Sequence, residues 1–214
     1  MPTPSISTQP PVQVQIQELV FDSPSGQVRL DSQVIGPGIT LIRADDEHEL
    51  VALLGLLSGR QQPQAGRVQW LSGSSPLPAS ALDDWRFWID PEDRSQDEMT
   101  VRACWQELGR RYPRWNASRL DELQAELGLA PHLDKPLYML STGSRRKVML
   151  AAAFAAGAAL TLLDRPFAAL DLPSRRCITR CLQACATHAD RILVVADYEP
   201  PGNVPLGQMI DLNP

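Results

Sequence analysis

Lysine is nearly absent from the first two thirds of this 214-residue chain. Of the 20 lysine and arginine residues only Lys135 and Lys147 are lysines, so chemistry that needs a lysine in the first half is excluded. Acidic residues also outnumber basic ones, so the formal net charge is −5 at pH 7. A chain with this balance has no long-range attraction for nucleic acid or for an anionic membrane face. We therefore expect no nucleic-acid partner.

Long apolar runs and secretory features are lacking as well. The longest apolar stretch, 148–163, is interrupted by Gly157 and is shorter than the ~20 residues that a membrane-spanning helix needs. The N-terminus has no basic segment followed by an apolar one. The cysteines lack the dense spacing of a disulfide scaffold. These absences predict a cytoplasmic protein with reduced cysteines.

Alternating strand and helix patterns are what the chain does contain. Residues 1–13 are rich in Pro, Ser, Thr and Gln and are expected to be flexible. From Val14 onward, strand patterns alternate with helical ones, which predicts an α/β fold containing a parallel sheet. A helical subdomain is predicted at about 96–139, with Ser118 as the N-cap of its second helix. We therefore expect a single domain at 14–214 with this subdomain inserted.

Two motifs in the second half of the chain point to a known family. The first, LSTGSRRK at 140–147, opens a predicted helix, and the second, TLLDRPFAALD at 161–171, is an apolar strand that ends in Asp164. Their order, with 23 residues from Ser141 to Asp164, resembles the nucleotide-binding subunits of ATP-binding-cassette (ABC) transporters. The resemblance covers nearly the whole chain. It implies an ABC-type P-loop NTPase fold, with a mixed and parallel sheet core and a helical subdomain.

The resemblance assigns roles to both motifs. In that family the first motif is the signature, whose serine hydroxyl and glycine amides hold the γ-phosphate of an ATP bound by the opposite subunit, as helix N-termini bind anions. The second supplies the Walker B aspartate, which holds Mg²⁺ through water, and the D-loop, which contacts the other subunit. The matching residues are Ser141, Thr142, Gly143 and Ser144 for the signature, Asp164 for Walker B, and Leu170 and Asp171 for the D-loop.

The phosphate loop that this family requires has lost its chemistry here. A working loop reads G-x-x-x-x-G-K-[ST], whose glycines, lysine and hydroxyl hold the phosphates and Mg²⁺. The corresponding segment is Ala44, Asp45, Asp46, Glu47, His48, Glu49, Leu50 and Val51. Each of its carboxylates would repel a phosphate charge 4 Å away by about 1 kcal/mol in water and about 4 kcal/mol at an effective dielectric of 20. We predict that this segment binds no nucleotide and begins a capped helix near Glu47.

Two further catalytic positions depart from the family pattern. Arg165 follows Asp164 where the family has the glutamate that activates water, and arginine does not accept a proton at physiological pH. Ala196, followed by Asp197, stands where the family has a histidine that contacts the γ-phosphate. We therefore expect no catalytic residue in this chain.

These residues predict a degenerate ABC subunit that is inactive alone and completes a partner's ATP site through its signature. The expected partners are an intact ABC ATPase subunit, a transmembrane permease subunit, or both. ATP and Mg²⁺ would be bound only through the partner, and a homodimer would have no competent site. The chain would lie in the cytoplasm, at the inner face of the membrane. The alternative is a soluble pseudo-ATPase, a scaffold or regulator without a transport role, in which Ser141 and Gly143 would be dispensable.

Two residue groups have a functional and a packing interpretation. Cys177, Cys181, Cys185 and His188 fall on one helical stripe and could offer metal ligands, but burial against a sheet is favoured and no metal site is predicted. Six aromatic residues near the start of the helical segment are predicted to be mostly core, with one or two exposed for a partner. They are Trp85, Phe87, Trp88, Trp105, Tyr112 and Trp115.

Overall fold

The computed structural model describes residues 12–78, 81–90 and 93–213. Its strands are β1 (Val12–Ser23), β2 (Gly26–Leu30), β3 (Gln33–Ile35), β4 (Gly38–Arg43), β5 (Ala65–Ser72), β6 (Ser75–Pro76), β7 (Arg86–Phe87), β8 (Leu160–Asp164), β9 (Ile192–Ala196) and β10 (Gln208–Asp211). Its α-helices are α1 (Glu47–Leu57), α2 (Leu82–Trp85), α3 (Val101–Arg111), α4 (Ala117–Glu126), α5 (Thr142–Ala156) and α6 (Leu172–Cys185). Short 3-10 helices lie at Ala130–His132 and Leu137–Met139.

The first sheet is antiparallel and is built around the long strand β1. Its order is β2-β1-β5-β6, and β3 also pairs with β1. Val14 and Ile16 are buried while the intervening glutamines are more exposed, as expected of a strand with one face in the core. The strand begins at Val12, so the last two residues of the predicted flexible segment belong to it. The other residues of that segment, 1–11, lie outside the described residues.

The second sheet is parallel, as the alternation of strands and helices predicts, and has the order β10-β4-β9-β8-β7. It separates two hydrophobic clusters, because successive side chains of a strand point to opposite faces. Leu193 and Val195 of β9 pack with α5 and α6, whereas Ile192 and Val194 pack with α1 and the antiparallel sheet. Because both faces of the parallel sheet are covered by other elements, its strand sequences are almost continuously apolar.

The helices of the predicted subdomain, α3 and α4, pack against this sheet and α5. The indole Nε1 of Trp105 donates to the Val148 carbonyl at 3.1 Å, and the Tyr112 hydroxyl donates to the Arg86 carbonyl at 2.8 Å. The prediction of Ser118 as a helix cap is wrong. Asn116 is the N-cap of α4, because it has an extended backbone and its side chain accepts a hydrogen bond from the Arg119 amide at 2.9 Å.

Candidate functional site

The carboxyl ends of three parallel strands define the candidate site. The sheet register pairs Asp164 with Ala196 and Ala196 with Ile42, so β8, β9 and β4 end side by side. Ligands of open α/β sheets bind at this edge. The structure therefore brings together the sequence-predicted Walker B residue, the position of the missing histidine and the degenerate phosphate loop.

The segment 44–51 leads directly into the start of α1, which confirms the predicted capped helix near Glu47. Asp46 is the N-cap of α1, and its side chain accepts from the His48 amide at 2.8 Å. Hydrogen bonds from Ser25, from the His48 amide and from the His48 ring lower the pKa of Asp46 to about 2. Asp45 is exposed, and its amide donates to the Asn213 side chain at 3.0 Å. These short polar residues fix the chain where a glycine-rich loop would need to wrap a phosphate.

Most side chains of α1 are buried within the protein. Leu50, at the position of the phosphate-binding lysine, is fully buried among the residues that pack between the two sheets. Glu49, at the position of the last loop glycine, is 7% exposed and accepts from the Ser25 hydroxyl at 3.3 Å. Ala44 is buried as well, and Val51 is partly buried. The segment contains no lysine or arginine, and the ring Nδ1 of its histidine, His48, lies 2.9 Å from Asp46 Oδ1.

Arg165 crosses the site from β8 to α1. Its guanidinium forms an ion pair with Glu47, and its Nε lies 3.3 Å from Asp164 Oδ1. The same guanidinium lies 3.5 Å from the Tyr198 hydroxyl. Burial lowers the pKa of Arg165, but Asp164, the Tyr198 hydroxyl and Glu47 together raise it above its ordinary value. The positive charge that Mg²⁺ would place beside the Walker B aspartate is thus provided by this arginine.

Two more ionisable groups surround this contact. Arg146, on α5, donates to the Arg165 carbonyl, and burial lowers its pKa although Asp164 opposes the shift. Asp197 follows β9, and burial together with the nearby Asp164 raises the pKa of its carboxyl. The site is therefore a network of arginines and carboxylates that neutralise one another. Arg165 itself offers no proton acceptor at the position of the family's glutamate.

The signature residues lie at the N-terminal end of α5, away from its buried C-terminal half. Ser141 and Thr142 are exposed, and Gly143 and Ser144 are partly exposed. Ser141 is the N-cap, and its hydroxyl oxygen accepts from the Ser144 amide at 3.2 Å. The amides of Thr142 and Gly143 stand in the first turn, where a helix has no internal acceptor for them. Gly143 is required by packing, because a Cβ there would lie 2.5 Å from the Ala169 carbonyl oxygen. This helix end has the polarity and the free amides that an anion requires.

The D-loop is attached to the signature helix of the same chain. Asp171 caps α6 by accepting from the Ser174 amide at 2.8 Å, and its second oxygen lies 2.6 Å from Lys147 Nζ. The Lys147 ammonium and the Ser174 hydroxyl and amide hold the pKa of Asp171 well below its usual range. Leu170, next to it, is partly buried. If Asp171 contacts another subunit, that contact is made by a carboxylate that already has two partners in its own chain, Ser174 and Lys147.

Comparisons with known proteins identify the family. The family model described as ABC transporter matches residues 52–168 of the chain. The cytochrome c biogenesis ATP-binding export protein CcmA of Salmonella typhi is 30% identical over 150 residues, which cover 70% of this chain and 71% of that protein. The chain belongs to the ABC transporter ATP-binding family.

Solved structures show the same ABC ATPase fold. A Pyrococcus furiosus protein described as an ABC transporter ATP-binding protein has a TM-score of 0.73 and 17% identity, covering 94% of this chain and 97% of the other. The archaeal ribosome recycling factor aABCE1 has a TM-score of 0.68 and 20% identity, covering 92% of this chain and 36% of the other. The predicted α/β fold of an ABC ATPase domain is confirmed. None of the described helices has the length and hydrophobicity that a membrane crossing requires.

Sequence reasoning missed the role of Arg165 in this ABC-type site. It treated the residue only as a lost general base, whereas the structure pairs it with Glu47, 118 residues earlier. It also missed the pairing of Lys147 with Asp171. One available signal was charge reversal, because the chain gains carboxylates in the loop and an arginine after the Walker B aspartate. This signal indicates an ion pair between the two segments, but it does not identify which carboxylate Arg165 contacts.

The two residue groups with alternative interpretations prove to be mainly core. Cys177 and Cys181 are buried against the sheet, and Arg119 donates to Cys181 Sγ at 3.0 Å. Among the residues that the structure describes, no group of three His, Cys, Asp or Glu side chains could hold a metal ion. Of the six aromatics, four are buried and Trp85 and Trp115 are partly buried, so the predicted exposure of one or two is not found.

Proposed function

We propose that this chain is a non-hydrolysing cassette subunit that completes the ATP site of an intact ABC ATPase partner. One observation carries the proposal. Arg165 and the first turn of α1 fill the edge of the sheet where a nucleotide's phosphates would bind, whereas the first turn of the signature helix remains accessible. A subunit built in this way can contact a nucleotide only where another subunit presents it.

The same proposal names the partners and the location. CcmA proteins carry the description of ATP-binding export proteins of cytochrome c biogenesis, and we infer a related export complex here. An intact cassette would supply the phosphate loop, and a transmembrane permease would hold both cassettes at the inner face of the membrane. ATP and Mg²⁺ would then belong to the partner's half of the site.

A groove between the parallel sheet and the helical segment supports the permease contact. It has a volume of about 440 Å³ and is lined by apolar side chains, including Phe87, Ile89 and Met149. Arg94 lies in its lining, Arg145 pairs there with Asp97 at 2.5 Å, and Tyr138 is exposed. An apolar floor with a charged rim suits a short amphipathic segment of a permease.

Titration of the purified chain with Mg–ATP by calorimetry tests the missing nucleotide site. We expect no binding at concentrations that saturate an intact cassette subunit, which serves as the control. Strong magnesium-dependent ATP hydrolysis by the isolated chain would overturn the proposal.

Copurification from native cells then separates a role in transport from the alternative, a soluble scaffold or regulator. Recovery with a membrane-spanning subunit supports transport, whereas recovery without one supports a scaffold or regulator.

A further inference from the structure

The backbone of Arg165 has an uncommon conformation that is held by hydrogen bonds to two neighbouring elements. Its φ is +38°, in the left-handed region that non-glycine residues seldom occupy. Such a conformation persists where surrounding contacts over-determine it. The amide donates to the Ala196 carbonyl at 2.8 Å, and the Arg165 carbonyl accepts from Arg146. Arg165 is therefore fixed to β9 and to the signature helix through its main chain alone.

The side chain adds three contacts to other parts of the site. Asp164, whose side chain is only 8% exposed, needs a counter-charge, because a buried carboxylate without one is strongly destabilising. The guanidinium supplies it and also pairs with Glu47 at the start of α1. The Tyr198 hydroxyl lies at 3.5 Å, in the segment that follows β9. One residue thus joins β8, β9, α1 and α5.

The signature and the D-loop, which are proposed to face the partner, are in direct contact with one another and with the network around Arg165. Ala169 has φ +58° and places its carbonyl oxygen against Gly143, where even a methyl group would not fit. Lys147 holds Asp171 at 2.6 Å. The D-loop is therefore packed against the signature helix and should move together with it. Both are connected to Arg165 through Arg146.

We propose that Arg165 is an internal ligand that takes the place of Mg²⁺ beside Asp164 and holds the site in one nucleotide-independent conformation. The inference rests on the proposed function and specifies how that function is regulated. The signature and the D-loop are presented to the partner in the same arrangement whether ATP is present or absent. ATP-dependent change is then confined to the intact subunit.

Hydrogen exchange of the isolated chain tests this role through the variant Arg165→Gln. We expect amides of 46–51 and 165–170 to exchange about tenfold faster or more, which corresponds to the loss of roughly 1.4 kcal/mol of local stability. Arg176→Gln is the matched control, since Arg176 is an exposed arginine of α6, and it should leave both segments unchanged. Unchanged exchange in Arg165→Gln would overturn the proposal.

A second variant keeps the test decisive if Arg165→Gln does not fold. Glu47 is 44% exposed at its side chain, so Glu47→Gln should fold and still accelerate exchange at 165–170. If Arg165 acts through Glu47, the double variant should exchange no faster than Arg165→Gln alone. Fully additive effects, or no effect of Glu47→Gln on 165–170, would contradict the internal-ligand role.

Addition of Mg–ATP separates this inference from the proposed function. Wild-type exchange should be the same with and without Mg–ATP. Protection of 44–51 by Mg–ATP would show a working nucleotide site and end the proposed function. Unchanged exchange in the Arg165 and Glu47 variants, with no effect of ATP on the wild type, would end only the internal-ligand role.

Discussion

The carboxyl of Asp197 gives the candidate site an energetic cost. Burial is the main cause of its raised pKa, and the nearby charge of Asp164 adds to it. The folded chain therefore binds a proton at this carboxyl more tightly than the unfolded chain does. The free energy of unfolding consequently falls as the pH rises from the unfolded-state pKa through the folded-state pKa.

The variant Asp197→Asn removes this cost and keeps the side-chain oxygen that accepts from the Tyr198 amide at 2.9 Å. We expect its thermal midpoint to exceed that of the wild type at neutral pH, because an amide has no charge to desolvate. The difference should shrink as the pH falls below the folded-state pKa, where wild-type Asp197 is protonated. Melting curves from about pH 3 to about pH 8 measure this.

The exposed Asp31→Asn is the control for that comparison, since Asp31 lies outside the site and the same chemical change is made. A lower midpoint for Asp197→Asn at neutral pH would contradict the expectation. It would mean that the ionised carboxylate stabilises the fold through the neighbouring arginines.

At the scale of elements, the start of α5 has a structural role and a binding role that substitutions can separate. Ser141 caps the helix, and Asn and Asp cap helices about as well as Ser does. Ser141→Asp should therefore keep the stability of the chain but place a carboxylate against the partner's γ-phosphate. We expect the ATPase rate of the assembled complex to fall at least about tenfold, equivalent to roughly 1.4 kcal/mol.

Ser141→Asn separates charge from the loss of the hydroxyl in that experiment and should cause a smaller decrease. Ser118→Asp, on the exposed surface of α4, controls for an added charge elsewhere. Equal ATPase rates in the wild type and Ser141→Asp would exclude contact between this helix and the partner's ATP, and would favour the scaffold alternative.

The elements of the fold were largely predictable, whereas the contacts of the site were not. Acidic residues favour a helix N-terminus, so local sequence correctly predicted that α1 starts near Glu47. The cap of α4 was misplaced, because Asn116 and Ser118 are both good caps and only the backbone geometry distinguishes them. The pairing of Arg165 with Glu47 depends on how β8 and α1 meet in the fold, which neither local sequence contains.

For the whole molecule, the asymmetry between the signature and the phosphate loop predicts nucleotide stoichiometry. A complex of this chain with an intact cassette should hold one ATP per pair of cassettes. The partner's loop and this chain's signature form one site, and Arg165 closes the other. Native mass spectrometry of the complex with Mg–ATP measures this number, and an intact homodimer provides the two-ATP reference. Two ATP molecules per mixed pair would contradict the prediction.

The bond between Trp105 and Val148 has a mechanical consequence for such a complex. This hydrogen bond joins α3 directly to the middle of α5, the signature helix. Tyr112, at the C-terminal end of α3, anchors α3 to the strand β7. Close-packed interiors transmit strain because they compress little. A displacement of α3 by a bound subunit should therefore also displace α5, whose N-terminal end carries the residues proposed to contact a partner's nucleotide.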